Sequence, residues 1–226
     1  MYGKFLVEGD KAVRELLLSS FKIEAIYALP DWILGQPSAP DTMHPVTDHE
    51  LGQISTQDKP DQAIAVALIP IQENNVKLAP ELYIACDHLN DPGNAGTIIR
   101  IADWFGINTV IFSAGSVDIY NPKVVSAAKG SLFRIRVIHT DLQELFNNNK
   151  QCAVLGAAMD GENIYQAKLP SSGILLIGNE ANGISADLYP MLTQKIAIPS
   201  FGNAESLNAG VATGIIMSEW QRQLKY

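Results

Sequence analysis

The sequence predicts an α/β protein: a mostly parallel sheet covered by helices in its larger C-terminal part, with a smaller α/β unit ahead of it. Three observations carry that expectation. From Glu81 onward, short continuous apolar runs alternate with segments of helical period. Strands apolar on both faces belong to parallel sheets with helices above and below. Residues 1–70 carry their own helix and strand signals, and 71–80 are polar, unpatterned and flanked by prolines, as a linker is. The expected organisation is a small unit over 1–70, a linker over 71–80 and the main domain over 81–226.

Taken in order, Asp10 reads as a helix N-cap, with Val13, Leu16 and Leu17 repeating at helical spacing behind it. Lys4, Lys11, Arg14 and Lys22 are gathered in this region, the last three around the helix. A strand is expected over Ile23–Leu29, then a Pro-rich connection from Gly35 to Pro45. Thr47 and Glu50 form a capping-box pattern for a short helix, and the β-rich run Ala63–Ile69 ends at Pro70. In the main domain the strands expected are Leu82–Cys86, Thr109–Phe112, Ile135–His139, Ala153–Ala157, Ile174–Ile177 and Lys195–Ile198. Helices are expected over Gly96–Phe105, Pro122–Lys129, Leu142–Asn147 and Leu207–Gln223, with Asn147–Asn149 as a helix-terminating loop. Sheets of this kind bind ligands at the loops beyond the carboxyl ends of their strands.

Composition narrows the function classes. An apolar fraction of 47% suits a chain with a proper core, and no run reaches the roughly eighteen apolar residues of a membrane span. The opening MYGKFLVEGDKAVRELL mixes charged with apolar residues, unlike a signal peptide. Cys86 and Cys152 are the only cysteines, each in a segment that reads as a buried strand; a reducing cytoplasm is expected, and no disulfide framework. Sixteen Lys plus Arg against twenty-four Asp plus Glu leave a net charge of −8. A nucleic-acid partner would therefore need a local basic patch working against the overall sign. No phosphate loop, no dinucleotide glycine fingerprint, no His or Cys metal spacing and no nucleophile elbow is present, which sets aside NTPases, dinucleotide oxidoreductases, metalloenzymes and the common hydrolases.

Three segments remain, each following an expected strand. The first is Asp91-Pro92-Gly93-Asn94-Ala95-Gly96-Thr97-Ile98-Ile99-Arg100, read as a tight loop leading into a helix that carries Arg100 in its first turns. There a cation sits poorly near the positive end of the helix dipole, which marks Arg100 as a functional candidate. The second is Gly178-Asn179-Glu180-Ala181-Asn182-Gly183, a carboxylate between glycines. The third is Ile198-Pro199-Ser200-Phe201-Gly202-Asn203-Ala204-Glu205-Ser206-Leu207-Asn208, in which Ser206 reads as the N-cap of the last helix.

In order and residue type the three segments resemble the SpoU (TrmH-like) family of RNA ribose methyltransferases, of the SPOUT class. The pattern N-x-G-x-I-x-R falls on Asn94, Gly96, Ile98 and Arg100; G-x-E-x-x-G on Gly178, Glu180 and Gly183; and I-P-(x)-S-L-N on Ile198, Pro199, Ser206, Leu207 and Asn208. The stretch Phe5-Leu6-Val7-Glu8-Gly9 is similar to the opening of the family's accessory RNA-binding domain. One departure stands out. Where the family often has Arg and Ser before its mid-chain glycine, this chain has Ser126 and Ala128, with Lys129 directly before Gly130.

The resemblance implies a C-terminal trefoil knot, a homodimer, S-adenosylmethionine as cofactor and a structured rRNA or tRNA as substrate. It implies no metal. It assigns Asn94, Arg100, Glu180, Ser206 and Asn208 to chemistry, and Ala157, Met159, Gly178, Asn179, Ile198 and Leu207 to the cofactor. With the unit over 1–70 as an RNA-binding accessory, Lys11, Arg14, Lys22 and Lys129 become the RNA contacts. Two alternatives stay open at this stage. One is a related enzyme that acts on a base; the other is a catalytically inactive RNA-binding or ribosome-assembly factor on the same fold, against which the intact motif residues argue.

Overall fold

The structure, a computed structural model, describes residues 3–37, 42–71 and 76–225; these form a four-stranded and a six-stranded sheet. The first is built from β1 (Lys4–Glu8), β2 (Ile23–Ala28), β3 (Met43–Pro45) and β4 (Ala63–Leu68), in the order β1-β4-β2-β3. Strand β4 runs antiparallel to both neighbours, and β3 runs parallel to β2. Helices α1 (Asp10–Leu17), α2 (Pro30–Leu34) and α3 (Asp48–Ile54) complete this unit. Alternation along β1 buries Phe5 and Val7, and α1 lays Val13 and Leu16 on the same core.

Thr47 and Glu50 do form the reciprocal capping box on α3. Asp10 does not cap α1. Gly9, at φ 97°, is the N-cap, and Asp10 lies in the first turn with its carboxylate accepting from Arg14 Nε and Trp32 Nε1, both at 2.5 Å. The acid thus ties α1 to α2 while sitting at the favourable end of the helix dipole. The expected Pro-rich connection lies partly outside the described residues, and its described end supplies β3.

The second sheet is wholly parallel, in the order β10-β8-β9-β5-β6-β7. Its strands are β5 (Leu82–Cys86), β6 (Thr109–Ser113), β7 (Arg136–Thr140), β8 (Val154–Asn163), β9 (Gly173–Ile177) and β10 (Gln194–Ala197). Helices α4 (Pro92–Trp104), α5 (Pro122–Ala128), α6 (Leu142–Asn148) and α7 (Ala209–Lys225) accompany it. Strand β8 runs six residues past its expected end at Ala157, because Gly161 lets it lie against the backbone of Ile196, where a Cβ would come within 2.6 Å. The pairing with β10 shifts register at that point. Cys86 closes β5 in full burial, whereas Cys152 lies in the turn before β8 instead of in a strand.

Two helix starts differ from expectation in ways that matter for the site. Helix α4 begins at Pro92, four residues before Gly96, because Asp91 caps it by accepting from Asn94 N at 2.7 Å and proline suits the first helical position. Asn94 and Gly96 therefore belong to the helix, and Arg100 sits roughly two turns in. The dipole argument for Arg100 fails accordingly. Helix α7 begins at Ala209, and the side chain that caps it is Asn208, whose Oδ1 accepts from Val211 N at 3.2 Å; Ser206 lies outside.

The two units are packed together. Phe5 meets Tyr120 with ring centroids 4.7 Å apart, and Phe21 meets Phe133 at 5.6 Å. Arg134 pairs with both Glu15 of α1 and Asp103 of α4, and Gly130 lies against the Glu15 side chain. Ahead of β5, Asn149 accepts from Leu78 N at 2.9 Å and donates to Val76 O at 3.1 Å, anchoring the end of the 71–80 segment to the C-cap of α6.

Candidate active site

From β5 the chain crosses to β6 on one side of the sheet; from β9 it crosses to β10 on the other. The carboxyl ends of β5 and β9 thus flank the point where the order reverses, the place where open α/β sheets form a ligand crevice. Beside that point, at the ends of β8, β9 and β10, a cavity of 480 Å³ opens, within the size range of cofactor sites. Three loops wall it: Ala157–Met159 on β8, Ile177–Gly183 after β9, and Ile196–Leu207 after β10.

The wall chemistry is narrow. Alanines, isoleucines and glycines dominate, and among the described residues lining the cavity Glu180 alone is ionisable. Gly178 has to be glycine, since a Cβ would run into the backbone of Gly183 and Ile184. The loop closes on itself through paired backbone hydrogen bonds between Asn179 and Gly183, each 2.9 Å. The Asn179 side chain holds it further, accepting from Ala181 N at 3.0 Å and donating to His88 O at 2.8 Å. Buried Asp87 fixes the far side by accepting from Ser185 N at 2.7 Å.

A chain of side-chain hydrogen bonds joins three elements behind the cavity. Asn208 Nδ2 donates to Asn94 Oδ1 at 2.6 Å, and Asn94 Nδ2 donates to Glu180 Oε1 at 2.8 Å. Asn94 itself is buried. An ionised carboxylate only accepts, so Glu180 dictates the direction of the whole chain: Asn94 must turn its nitrogen to the acid and its oxygen to Asn208. Asn208 then has an oxygen left for capping α7.

The sequence profile of the SpoU rRNA methylase family matches residues 81–218, which span the whole six-stranded sheet and most of α7. The chain belongs to the SpoU family. It is 31% identical to a 23S rRNA (guanosine(2553)-2′-O)-methyltransferase of Bacillus subtilis, over 94% of this chain and 86% of that one. It is 27% identical to a 23S rRNA (uridine(2479)-2′-O)-methyltransferase of Streptomyces viridochromogenes, over 96% and 73%. Among solved structures, a putative RNA methyltransferase of the TrmH family from Porphyromonas gingivalis superposes with a TM-score of 0.88 at 33% identity, covering 97% of this chain and 90% of that one. An AdoMet-bound rRNA methyltransferase from Sinorhizobium meliloti superposes with a TM-score of 0.86 at 25% identity, covering 99% and 89%.

Against the SpoU pattern, the expected residues fall into three places. Ala157, Met159, Gly178, Asn179, Ile198 and Leu207 all line the cavity, together with Glu180 and Ser206. Asn94 and Asn208 stand behind it, joined to it through Glu180. Arg100 is elsewhere: it is exposed on α4 and lines a separate 650 Å³ groove with Lys11 and Lys129. Of the other expected RNA contacts, Arg14 is held by Asp10 and Gln36 and stacks over Trp32 at 5.2 Å, and Lys22 is exposed. Lys4 pairs with Glu24 at 2.7 Å. Asp87 and His88, which brace the Gly178–Gly183 loop, were not among the expected residues; their only signal was a position between strand β5 and the first motif. Ala158, Ile196 and Ile216 also line the cavity and carry no motif at all.

Proposed function

We infer that this SpoU-family protein transfers a methyl group from S-adenosylmethionine to a ribose 2′-hydroxyl of RNA. The observation that carries the reading is the cavity at the ends of β8, β9 and β10, apolar and glycine-lined with one carboxylate. Small residues admit close approach of backbone donors to an adenine, and the apolar walls desolvate it. A lone negative charge, with no cation among the described lining residues, disfavours phosphate-bearing cofactors and favours a cationic one. The names of the relatives support the same donor and the same reaction, and rRNA is the first substrate to test. The intact Asn94–Glu180–Asn208 chain speaks against a catalytically inactive factor.

S-adenosylmethionine supplies an electrophilic methyl group on a sulfonium. Gly178, Asn179, Ile198 and Leu207 hold the donor, while Asn94, Glu180 and Asn208 keep the three loops in register around it. Ser206, at the rim, shapes the pocket on the substrate side. Arg100 donates to the ribose oxygen as negative charge develops on it. A guanidinium donates hydrogen bonds and accepts none, so Arg100 is no base; the proton passes to water or to an RNA phosphate.

Because Arg100 lies outside the donor cavity of its own chain, the reading includes a homodimer in which Arg100 completes the partner's site. Phe201, Leu207 and Val211, exposed around the start of α7, support such an interface. It also includes a trefoil knot, supported by the return of the chain from edge strand β10 to pack α7 on α4, with Gly210 against Thr97. Residues 1–70 serve as an RNA-binding accessory, 71–80 as a linker and 81–226 as the methyltransferase domain, in keeping with the two separate sheets. A cytoplasmic location accords with two free cysteines.

The test has two arms. S-adenosylmethionine or its demethylated product should bind and raise the melting temperature, by about 2.7 kcal/mol of stability at a hundredfold excess over Kd. Labelled methyl should pass to unmodified 23S rRNA transcript and survive alkaline hydrolysis as a resistant dinucleotide, since only a blocked 2′-oxygen prevents cleavage. Absence of donor binding at millimolar ligand would overturn the reading; label in an alkali-labile nucleotide would move the reaction to a base.

A further inference from the structure

The groove that holds Arg100 contains a residue that no motif accounts for. Trp104, one turn beyond Arg100 on α4, is 83% exposed, whereas Trp32 and Trp220 are buried. Lys11 reaches the same groove from α1, and Lys129 from the end of α5. Lys11, Arg100 and Lys129 have no ion-pair partner among the described residues. The one acid in the groove, Asp103, is already answered: its Oδ2 accepts from Arg134 Nη2 at 2.7 Å, Arg134 Nε at 3.0 Å and Ser131 Oγ at 2.7 Å. In a chain of net −8, this places three uncompensated cations around one exposed indole. Lys129 ends α5 in the left-handed conformation, at φ 51°.

Resting on the methyltransferase reading above, we propose that this groove binds an unpaired stretch of the substrate RNA beside the nucleotide to be methylated, with phosphates on Lys11 and Lys129 and one base stacked on Trp104. Charge complementarity selects the occupant, because three free cations around an aromatic plane match a phosphate backbone with a base between. The unpaired state follows from the indole, which needs the face of a base that a duplex keeps stacked. The groove also joins the two units of the chain. The contact of Gly130 with Glu15 and the Arg134 bridge from Glu15 to Asp103 lock α1 beside α4. RNA held by Lys11 is thereby delivered along the helix that carries Arg100.

The buried state of Trp32 and Trp220 makes Trp104 its own reporter. Titrated into the full-length protein without cofactor, single-stranded oligoadenylate should quench the exposed tryptophan emission, and a matched RNA duplex should not. Trp104→Ala should weaken oligoadenylate binding about tenfold, in line with one base stack, and Trp104→Phe should restore most of it. Lys11→Glu should lower the salt slope by about one phosphate contact. S-adenosylmethionine affinity should stay the same in every variant, so failure of donor binding in the wild type would count against the methyltransferase reading and leave the groove to be judged by fluorescence. Equal quenching by duplex, or unchanged affinity in Trp104→Ala, would overturn the proposal. So would protection of Trp104 from acrylamide in the RNA-free protein, which would assign the indole to contact with a second copy.

Discussion

Asn94, Glu180 and Asn208 meet across 86 and 114 residues of chain, and no spacing within one segment could announce that contact. Taken singly, their segments read as turns and a cap; the order of the three together, through its resemblance to the family pattern, marked each residue. What stayed hidden was their division of labour with Arg100, because the direction of a side chain depends on which helix face it occupies. Arg100 shares the exposed face of α4 with Gly93, Thr97 and Trp104, while Asn94, Ile98 and Ala102 face inward. That placement replaces the helix-dipole argument with a better one. An exposed guanidinium without a hydrogen-bond partner among the described residues contributes little to folding. Arg100→Ala should leave the melting temperature and cofactor affinity near their original values while lowering single-turnover methyl transfer about a hundredfold, the scale of one lost transition-state donor. Arg100→Lys should recover little, because a point charge lacks the fixed fork of donors. Near-normal turnover in Arg100→Ala, measured under single-turnover conditions, would remove it from the chemistry.

At the scale of the element, the strands were legible because continuous apolar runs have few other uses, whereas helix ends were not. The glycines and Asn94 read as a tight loop, yet Asp91 caps and proline starts the helix, so the first motif is helical. Its Gly96 serves packing: a Cβ there would stand 2.5 Å from the Ala127 Cβ and 2.8 Å from Val124 O, so α4 and α5 touch only because that side chain is missing. Helix α7 is fastened at its far end by a similar economy of groups. Glu219, buried, accepts from Arg222 Nε and Nη2 and from Gln223 Nε2, while Gln223 and Trp220 hold the 167–170 segment. The Arg222 hydrogen bond, then that of Gln223, hold the Glu219 carboxyl down to about 2. A carboxyl whose pKa is lower folded than unfolded stabilises the protein above its unfolded value, near 4.3, and loses that contribution as pH falls toward the folded one. Glu219→Gln should therefore be less stable than the wild type at neutral pH, with the gap narrowing between about pH 4 and pH 2. Denaturant titrations across that range would show it; a gap independent of pH would mean that packing, and not the charge, fastens the helix.

For the whole molecule, the alternating pattern after Glu81 was enough to indicate a parallel sheet, and the cavity lies beyond strand ends of that sheet, at β8, β9 and β10. Strand order itself was not legible: the wholly apolar β9 reads as a central strand and the polar Gln194 and Lys195 of β10 suit an edge, but no pattern says which strand pairs with β5. On the proposed reading the fold splits the active site: Glu180 lines the cavity proposed for the donor, and Arg100 lines a separate groove with Lys11 and Lys129. The proposed dimer resolves the split by trading arginines between copies, and a mixing experiment can decide it. Arg100→Ala keeps its donor cavity and loses the arginine. Gly178→Val keeps the arginine and displaces the 178–183 loop that lines the cavity, since even a Cβ at 178 collides with the 183–184 backbone. Each variant alone should be inactive, and loss of donor binding with a retained cooperative melt would qualify Gly178→Val for use. If Arg100 serves the partner's cavity, a mixed dimer contains one site with both defects and one with neither. Co-refolded in equal amounts, half the dimers are mixed and activity should return to about a quarter of the wild-type level. If Arg100 serves its own cavity, every site in the mixed dimer carries one defect and activity stays absent. Recovery would place the donor and the arginine on different copies; continued inactivity, with mixed dimers verified by differential tags, would require α4 to turn Arg100 toward its own cavity on binding RNA.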